Sequence, residues 1–325
     1  MQPQERRALG AHYTTERNVL KVVEPLFLDD LRAEFERLRA RRGTNRRADL
    51  RRFHDKLARM KFFDPACGCG NFLIIAYREL RQLELEVLKE LREYQIDPRT
   101  GEFQGELDAA SLSRVNVDQF YGTEIEEFPA RIAETALWMM DHIMNNRLSL
   151  MFGQSYARIP LTRSPSIWNT DALDADWDQL LEPENCSFIL GNPPLGGSKQ
   201  QTSGQREQVR RIADLGGSGG TLDYVTAWFI KAGTYIRGNA KIGIGFVATK
   251  SITQGEQVAQ LWPILFQRYA LEIAFAHRTF AWGSDARGMA HVHVVIIGLV
   301  AADRARRDKR LFLYDAYDAD PHETK

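Results

Sequence analysis

The chain has 325 residues, of which 44% are hydrophobic and 26% charged, so it can bury a large core and is too apolar to be mainly disordered. Its 43 basic and 43 acidic residues cancel, which excludes attraction of nucleic acid by overall charge and leaves only local patches. Three cysteines and the lack of a long leading apolar segment argue against a disulfide-bonded secreted domain or a membrane span. We therefore expect a cytoplasmic protein.

The first predicted region, residues 1–59, is helical. Apolar residues recur at helix spacing from Glu16 to Leu57, with a break expected near Gly43. The same region contains the most basic stretch of the chain. Its arginines are Arg37, Arg39, Arg41, Arg42, Arg46, Arg47, Arg51 and Arg52. Both a solvated helix face and a phosphate-contacting surface fit this pattern.

After residue 59 the sequence pattern changes to short apolar strands that alternate with helices. Strands are predicted at residues 60–63, 119–124, 186–190, 242–248, 271–276, 291–300 and 310–314. Long helices are predicted from Asn71 to about Tyr94 and from Pro129 onward. The buried face of the second helix is expected to carry Ile132, Ala136, Met139 and Ile143. This alternation favours an α/β fold with a mainly parallel sheet that is covered on both faces.

The segment FDPACGCGNFL, residues 63–73, places a glycine-rich turn between the first of these strands and the first long helix. Gly68 and Gly70 allow a ligand to approach backbone N–H groups at the helix N-terminus. The dinucleotide fingerprint requires a third glycine where Leu73 stands, and Asp64 would repel a phosphate but attract an ammonium group. The turn therefore favours a nucleoside with a cationic tail over a pyrophosphate.

Two acidic residues follow later strands. Glu124 ends its strand at the position where doubly wound folds bind ribose hydroxyls. Asp171, in SIWNTDAL, is placed to accept a hydrogen bond from an exocyclic amine such as that of adenine. A helix N-cap is an equally good interpretation of Asp171 by itself.

The segment ILGNPPLGG, residues 189–197, follows the strand predicted at 186–190. Pro193 and Pro194 restrict the backbone and carry no N–H, so they offer only carbonyl oxygens, which accept hydrogen bonds. The side chain of Asn192 adds its amide oxygen as another acceptor. An amino group conjugated to an aromatic ring or a carbonyl has two hydrogens to donate there. Accepting both makes the nitrogen lone pair available for attack. Taken alone, an N-P dipeptide is also a common turn.

In this order, the motifs GAHYTT (residues 10–15), DPACGCG (64–70), Glu124, Asp171 and GNPPL (191–195) resemble those of S-adenosylmethionine-dependent DNA adenine-N6 methyltransferases of the gamma group. LGAHYTTERNVLKVVEPLFLDDL and FAHRTFAWGSDARGMAHVHVVIIG resemble the methyltransferase part of the MmeI-like type II restriction-modification enzymes. The resemblance implies a Rossmann-like domain over residues 60–302, with a mainly parallel seven-stranded sheet and a preceding helical segment, 1–59. Residues 303–325 would begin the connection to a target-recognition region.

The resemblance also implies a role for each motif residue. The residues expected to contact S-adenosylmethionine are Thr14, Asp64, Ala66, Gly68, Gly70, Glu124 and Asp171. The expected catalytic residues are Asn192, Pro193, Pro194 and Leu195. Of these, Asn192 and Pro193 would hold the amine of an adenine flipped out of double-stranded DNA. Because the family has an aromatic residue where Leu195 stands, Phe280 and Trp282 are candidates for stacking on the base, with core packing as the alternative.

No metal site is predicted. Cys67 and Cys69 have no further ligands at zinc spacing, and His291 and His293 share a strand face without a third ligand. No endonuclease or target-recognition region is visible, so such regions of a parent protein are the expected partners, and we expect weak methylation by this chain alone. The alternative functions are methyl transfer to RNA or to a protein glutamine, and a non-catalytic scaffold.

Overall fold

A nine-stranded sheet organises the part of the chain that the computed structural model describes, residues 14–93, 113–153, 163–216, 221–282, 292–305 and 308–324. The strands are β1 (Phe62–Asp64), β2 (Phe120–Glu124), β3 (Ser166–Asn169), β4 (Phe188–Gly191), β5 (Gly243–Thr249), β6 (Leu271–Trp282), β7 (Val292–Ala301), β8 (Arg310–Leu313) and β9 (His322–Thr324). The helices are α1 (Glu16–Val23), α2 (Asp29–Ala40), α3 (Arg46–Arg59), α4 (Asn71–Glu93), α5 (Glu127–Phe152), α6 (Trp177–Leu180), α7 (Ser203–Ala213), α8 (Thr226–Tyr235) and α9 (Glu256–Pro263). The predicted alternation of strands and helices is confirmed.

The strand order across the sheet is β3-β2-β1-β4-β5-β7-β6-β8-β9. Neighbouring strands from β3 to β5 run parallel, whereas β7 is antiparallel to both β5 and β6. The carboxyl ends of the parallel strands therefore lie along one edge of the sheet. The predicted α/β fold is confirmed, with nine strands in place of the seven expected.

Two strands, β8 and β9, lie in residues 310–324, where the sequence predicted the start of a connection and one strand at 310–314. The predicted strand is confirmed as β8, whereas β9 was not predicted. β8 pairs parallel with β6, and β9 pairs antiparallel with β8. Arg310 donates hydrogen bonds to Glu323 at 2.9 Å and to Asp29 at 2.7 Å, so it links β8 to both β9 and α2. This segment thus extends the sheet.

The two faces of the sheet pack against separate cores. Because neighbouring side chains of a strand point to opposite faces, Phe62 and Phe63 of β1 lie in different cores. Phe62 stacks on Phe120 with ring centroids 4.9 Å apart, in the core beneath α1 to α5. Phe63 makes an edge contact with Trp177 at 5.1 Å, in the core that contains residues of α6 to α9. Replacement of either phenylalanine by alanine would cost about 3–5 kcal/mol in such a core.

The basic stretch of residues 37–52 is partly neutralised within the protein. Two buried carboxylates pair with four of its arginines: Glu90 with Arg39 and Arg46, and Asp49 with Arg41 and Arg52. These four arginines therefore join α2, α3 and α4, which favours a structural role for them over phosphate contact.

The helix α5 buries a different face from the one predicted. Met139 and Ile143, expected in the core, are 63% and 44% exposed. The buried positions are Ala130, Ala133, Leu137, Asp141, Met144, Asn145, Leu148 and Phe152. The prediction was wrong because Asp141 and Asn145 form hydrogen bonds with side chains of α4, so polarity does not mark the solvent face here. No helix in the described residues, α5 included, has the length and apolar character needed to span a bilayer.

A buried ionic network joins α4 to α5 and to the segment before β2. Arg81 and Glu84 are both fully buried and form an ion pair at 3.4 Å. Arg81 also donates to Asn145 Oδ1 and to Val115 O, each at 2.9 Å. Glu84 accepts a hydrogen bond from His54 at 2.7 Å. Removal of either charge would break this buried ion pair, which is costly inside a protein core.

We expect Arg81→Met to lower the free energy of unfolding by about 3–5 kcal/mol, because it breaks the buried ion pair with Glu84 and the hydrogen bonds to Val115 and Asn145. Arg131→Met is the matched control, since Arg131 and Glu134 form an ion pair with the same three-residue spacing on an exposed helix face. Thermal unfolding should show a large loss of Tm for the first variant and almost none for the second. Equal Tm values for both variants would contradict the role of the buried network.

Candidate active site

The predicted site residues lie at the carboxyl ends of neighbouring strands. β1 ends at Asp64, β2 at Glu124 and β4 at Gly191, and β1 lies between the other two strands. A Cβ atom added at Gly191 would lie 3.0 Å from the carboxyl carbon of Asp64, which shows how closely the strand ends approach. The glycine turn after β1 and the GNPPL segment are therefore adjacent, in the crevice where open α/β sheets bind ligands.

Gly68 and Gly70 require glycine for different reasons. Both have a positive φ, +54° and +85° respectively, which larger residues rarely adopt. A Cβ atom at Gly68 would have no other atom within 4 Å, so open space for a ligand lies there. A Cβ atom at Gly70 would lie 2.9 Å from Cβ of Ala133, so this position is dictated by the packing of α4 against α5. Of the two glycines, Gly68 borders the open space.

The carboxylate of Glu124 lies against the glycine turn. Its Oε2 accepts a hydrogen bond from Gly68 N at 2.9 Å, and its Oε1 accepts one from Glu126 N at 3.0 Å. Burial raises the pKa of Glu124, although these hydrogen bonds act in the opposite direction. Each carboxylate oxygen has a further lone pair, so Glu124 can still accept hydrogen bonds from the hydroxyl groups of a ligand.

Asp171 lies in the turn after β3 and is not the N-cap of an α-helix, because α6 begins further along the chain. Its Oδ1 accepts a hydrogen bond from Leu173 N, and its Oδ2 accepts one from Gln208 Nε2, each at 2.8 Å. Thr170 N donates to Glu124 O at 3.0 Å, which places this turn beside the end of β2. The two acidic residues predicted to bind a nucleoside are thus on adjacent strand ends.

The GNPPL segment leaves β4 with an unused acceptor. Asn192 Oδ1 is buried and has no hydrogen-bond partner among the described residues. Pro193 and Pro194 follow it and contribute carbonyl oxygens but no N–H groups. Leu195 is half-buried and packs against the cores on both faces of the sheet. A group with two N–H donors is the chemical complement of this segment.

A second unused acceptor belongs to Asp64, which is 1% exposed. Its Oδ1 accepts a hydrogen bond from Ala66 N at 3.0 Å, whereas Oδ2 has no partner in the described part of the chain. Burial raises the pKa of Asp64 to about 8; the hydrogen bond from Ala66 lowers it, and the charge of Glu124 raises it further. A cation bound beside this carboxyl group would compensate its burial. Together with the open space at Gly68, Asp64 fits a nucleoside with a cationic tail.

A segment that the sequence did not single out, residues 223–231 (DYVTAWFIK), braces these loops. Trp228 Nε1 donates a hydrogen bond to Pro65 O in the glycine turn at 3.1 Å. Lys231 Nζ donates to three carbonyl oxygens in and after the turn that contains Asp171, and burial lowers its pKa to about 8. The available signal was a set of polar residues at near-helical spacing within an otherwise apolar stretch.

Phe280 and Trp282, the candidates for stacking on a base, are core residues in this structure. They are 0% and 2% exposed. The Phe280 ring stacks on Tyr314 with centroids 4.8 Å apart, and Lys21 Nζ lies 4.3 Å from its centroid. Both rings belong to the end of β6 that pairs with the start of β7, beside the carboxyl end of β5. Core packing accounts for their position, and stacking on a base stays a prediction.

The remaining predicted residues lie at the margins of the described structure. Thr14 is the first described residue; it is 9% exposed and directly precedes Thr15, the N-cap of α1. Residues 10–13 and His291 lie outside the described ranges. Within those ranges, no group of three His, Cys, Asp or Glu side chains could hold a metal ion. Cys67 is buried, and burial raises the pKa of its thiol, so it is a poor nucleophile.

Comparison with protein families matches residues 40–314 to the family described as MmeI, DNA-methyltransferase domain. The chain is also 36% identical over 314 residues to DNA methyltransferase A of Bacillus subtilis (strain 168). This alignment covers 95% of the present chain and 33% of that relative.

Among solved structures, the type IIL restriction-modification enzyme MmeI in complex with DNA is 49% identical with a TM-score of 0.91, over 100% of this chain and 41% of that one. A DrdV–DNA complex has a TM-score of 0.51 at 14% identity, over 98% of this chain and 28% of that one, which is a likeness of fold alone. The present chain thus spans less than half the length of these relatives. Because the family match covers most of the chain and includes every strand that carries the site, the chain belongs to the MmeI DNA-methyltransferase domain family.

Proposed function

We propose that this domain transfers a methyl group from S-adenosylmethionine to N6 of adenine in DNA, as part of a restriction-modification enzyme. The observation that carries the proposal is the adjacency of two incomplete polar sites. Asp64 Oδ2, beside the open glycine turn, and Asn192 Oδ1, beyond the end of the neighbouring strand, are both buried without a partner among the described residues. The first fits a cationic nucleoside, and the second fits an amine to be methylated.

When bound, S-adenosylmethionine supplies an electrophilic methyl group on a cationic sulfur, which keeps the electron pair of the broken C–S bond. The open space at Gly68 would admit the ligand next to the start of α4. Glu124 would accept hydrogen bonds from ribose hydroxyls, and Asp171 would accept one from the adenine amine. Asp64 would balance the positive charge of the ligand. Thr14 is proposed to lie near its methionine end.

Asn192 and Pro193 would hold the target amine. The side-chain oxygen of Asn192 and the carbonyl oxygen of Pro193 accept its two N–H groups, so the nitrogen lone pair is freed from the ring and forms the new N–C bond. The nitrogen then carries a positive charge and loses a proton to solvent. Such a one-step transfer depends mainly on alignment of the reacting atoms, and no side chain of the protein forms a covalent bond.

The proposed substrate is double-stranded DNA with one adenine rotated out of the helix. The similar enzyme MmeI was solved in complex with DNA, which supports DNA as the partner. Because the chain spans 41% of MmeI, we propose that sequence recognition depends on regions outside this domain and that the domain alone methylates DNA weakly. We also propose a cytoplasmic location, where DNA is accessible.

The test is incubation of the chain with methyl-labelled S-adenosylmethionine and three acceptors: duplex DNA, RNA and a glutamine-containing peptide. One duplex should carry adenine opposite an abasic site, since an unpaired base costs less to extrude and compensates for weak DNA binding. Mass spectrometry of the digested DNA separates N6-methyladenine from methylated cytosine. We expect N6-methyladenine. Label only in RNA or the peptide, or no label and no cofactor binding by calorimetry, would contradict the proposal.

Asp64→Asn is expected to weaken cofactor binding and to stabilise the ligand-free protein. Because burial raises the pKa of Asp64 from 3.8 to about 8, its contribution to stability is fully present below pH 3.8 and is lost as the pH rises from there to about 8. We therefore expect Asp64→Asn to have the higher Tm at pH 8, by about 1.5 °C per kcal/mol recovered in a chain of 325 residues. Calorimetry should show that wild-type affinity for S-adenosylmethionine increases from pH 6 to pH 8, whereas that of the variant does not.

Asp118→Asn is the control for this substitution, since Asp118 lies before β2, at the opposite edge of the sheet, and pairs with Arg163 on the surface. Asp118→Asn should have the Tm of the wild type at pH 8 and the same pH dependence of S-adenosylmethionine binding. A wild-type affinity that stays constant from pH 6 to pH 8 would show that the charge of Asp64 plays no part in binding.

A further inference from the structure

Asp223 is a buried residue that contacts the loop after β4, the end of β5 and helix α9. It precedes α8 and is 3% exposed. Its backbone N–H donates to Gln257 Oε1 in α9 at 3.0 Å, and its carbonyl oxygen accepts from Thr226 N at 3.0 Å. The backbone of Asp223 is therefore held on both sides, so its side chain has a defined position.

The carboxylate of Asp223 connects the end of the catalytic loop to the last residue of β5 and to the loop that follows it. We define the catalytic loop as residues 192–198, which follow β4. Asp223 Oδ1 accepts a hydrogen bond from Ser198 N at 2.9 Å, and Oδ2 accepts one from Thr249 Oγ1 at 2.8 Å. Ser251 Oγ also donates to Oδ2. One side chain thus ties together two loops that leave the carboxyl ends of adjacent parallel strands.

The neighbouring residue adds a second tie to the same loop. Tyr224 N donates to Gly196 O at 2.8 Å, so Gly196 and Ser198 are both attached to the segment before α8. At its other end the loop is held by β4, where Gly191 pairs with Phe246 of β5. The catalytic loop is therefore restrained at both ends by contacts that lie outside it.

External restraint matters most for the second half of the loop, because Pro193 is buried whereas residues 194–198 are only partly buried. Two of its residues, Gly196 and Gly197, have no side chains, and glycine gains the most freedom when tertiary contacts are lost. Leu195 is the loop residue that packs against the two cores. Without the tie at Ser198, the segment that carries Asn192 would be anchored through β4, Leu195 and the hydrogen bond from Tyr224 N to Gly196 O.

We propose that Asp223 is a positioning residue for methyl transfer: it sets the place of the catalytic loop, and hence of Asn192, relative to the loop after β5. This inference rests on the proposed function. Asp223 acts through Ser198 and Thr249 and touches neither reactant. A displacement of about 1 Å in a reacting group can lower a rate about 100-fold, so loss of this tie should affect transfer far more than cofactor binding.

The test compares Asp223→Ala, Asp223→Asn and the control Asp118→Ala, with three measurements on each. Single-turnover methyl transfer to the abasic-site duplex gives the rate, calorimetry with S-adenosylhomocysteine gives cofactor affinity, and hydrogen exchange gives the mobility of residues 195–198. We expect Asp223→Ala to lose about 100-fold in rate with affinity unchanged and with faster exchange confined to those residues. Asp223→Asn keeps an acceptor for Ser198 N and should lose less.

Two results would overturn the proposal. One is an unchanged transfer rate in Asp223→Ala. The other is a parallel fall in rate, affinity and Tm, which would mean that Asp223 only supports folding. If the wild-type chain transfers no methyl group, the proposed function fails, but hydrogen exchange still tests whether Asp223 holds the catalytic loop. Faster exchange of residues 195–198 in Asp223→Ala but not in Asp118→Ala supports the tie. Unchanged exchange refutes it.

Discussion

Gly68→Val is expected to weaken binding of S-adenosylhomocysteine at least about 100-fold, or about 2.8 kcal/mol. The reason is spatial: a Cβ atom at Gly68 would meet no protein atom within 4 Å, so the added side chain would occupy the space proposed for the nucleoside. Titration calorimetry on the purified chain gives the affinity directly. Methyl transfer should fall with it, because the cofactor no longer binds.

Gly153→Val is the matched control for this substitution. Gly153 also has a positive φ, +69°, and open space where its Cβ would lie, but it ends α5 rather than bordering the site. Both variants impose the same kind of backbone strain and should lose Tm to a similar extent. If Gly153→Val weakens binding as much as Gly68→Val, strain rather than occupation of the pocket explains the loss.

Asn192→Ala is expected to lower the rate of methyl transfer about 100- to 1,000-fold while cofactor affinity stays within about twofold of wild type. Asn192 Oδ1 has no hydrogen-bond partner among the described residues. The substitution therefore removes an acceptor for the target amine and breaks no described hydrogen bond of that oxygen. Single-turnover transfer with saturating cofactor isolates this step from cofactor binding. Asn192→Asp retains an oxygen acceptor and should lose less.

Asn185→Ala serves as the control, because Asn185 is exposed, lies before β4 and donates to Glu182. It should transfer methyl groups at the wild-type rate. A normal rate in Asn192→Ala would refute the role of the amide oxygen. A loss of cofactor affinity in that variant would mean that the two halves of the site are not separate.

The parts of this protein that are predictable from sequence are those with a local signal. Helix α4 was predicted from Asn71 to about Tyr94 and ends at Glu93, because a glycine turn starts it and apolar residues recur through it at helical spacing. The strands that carry Asp64, Glu124 and Gly191 are short apolar runs that end in polar or glycine residues. The residues at these strand ends, in that order, carry the resemblance from which a nucleoside site and an amine site were predicted.

Other predictions depended on contacts that a local pattern does not contain. The buried face of α5 was assigned wrongly because Asp141 and Asn145 are satisfied by residues of α4, more than fifty positions earlier in the chain. Asp171 is held by Gln208, and the candidate base-stacking residues Phe280 and Trp282 are in the core. The segment 223–231 was not singled out, since each of its anchors is distant in sequence.

The sequence by itself determined the class of fold, the glycine turn of residues 68–70 and the acceptor segment at Asn192, whereas the open position at Gly68 was decided by the structure. The three features determined by the sequence depend on the backbone freedom and the polarity of a few residues that are neighbours in the sequence, so no distant contact is needed to predict them. The tertiary structure alone decided which faces are buried, that β8 and β9 extend the sheet, and that Asp223 ties the catalytic loop to the loop after β5. Such features need two or more distant segments to meet, so their energies arise only when the sheet is assembled.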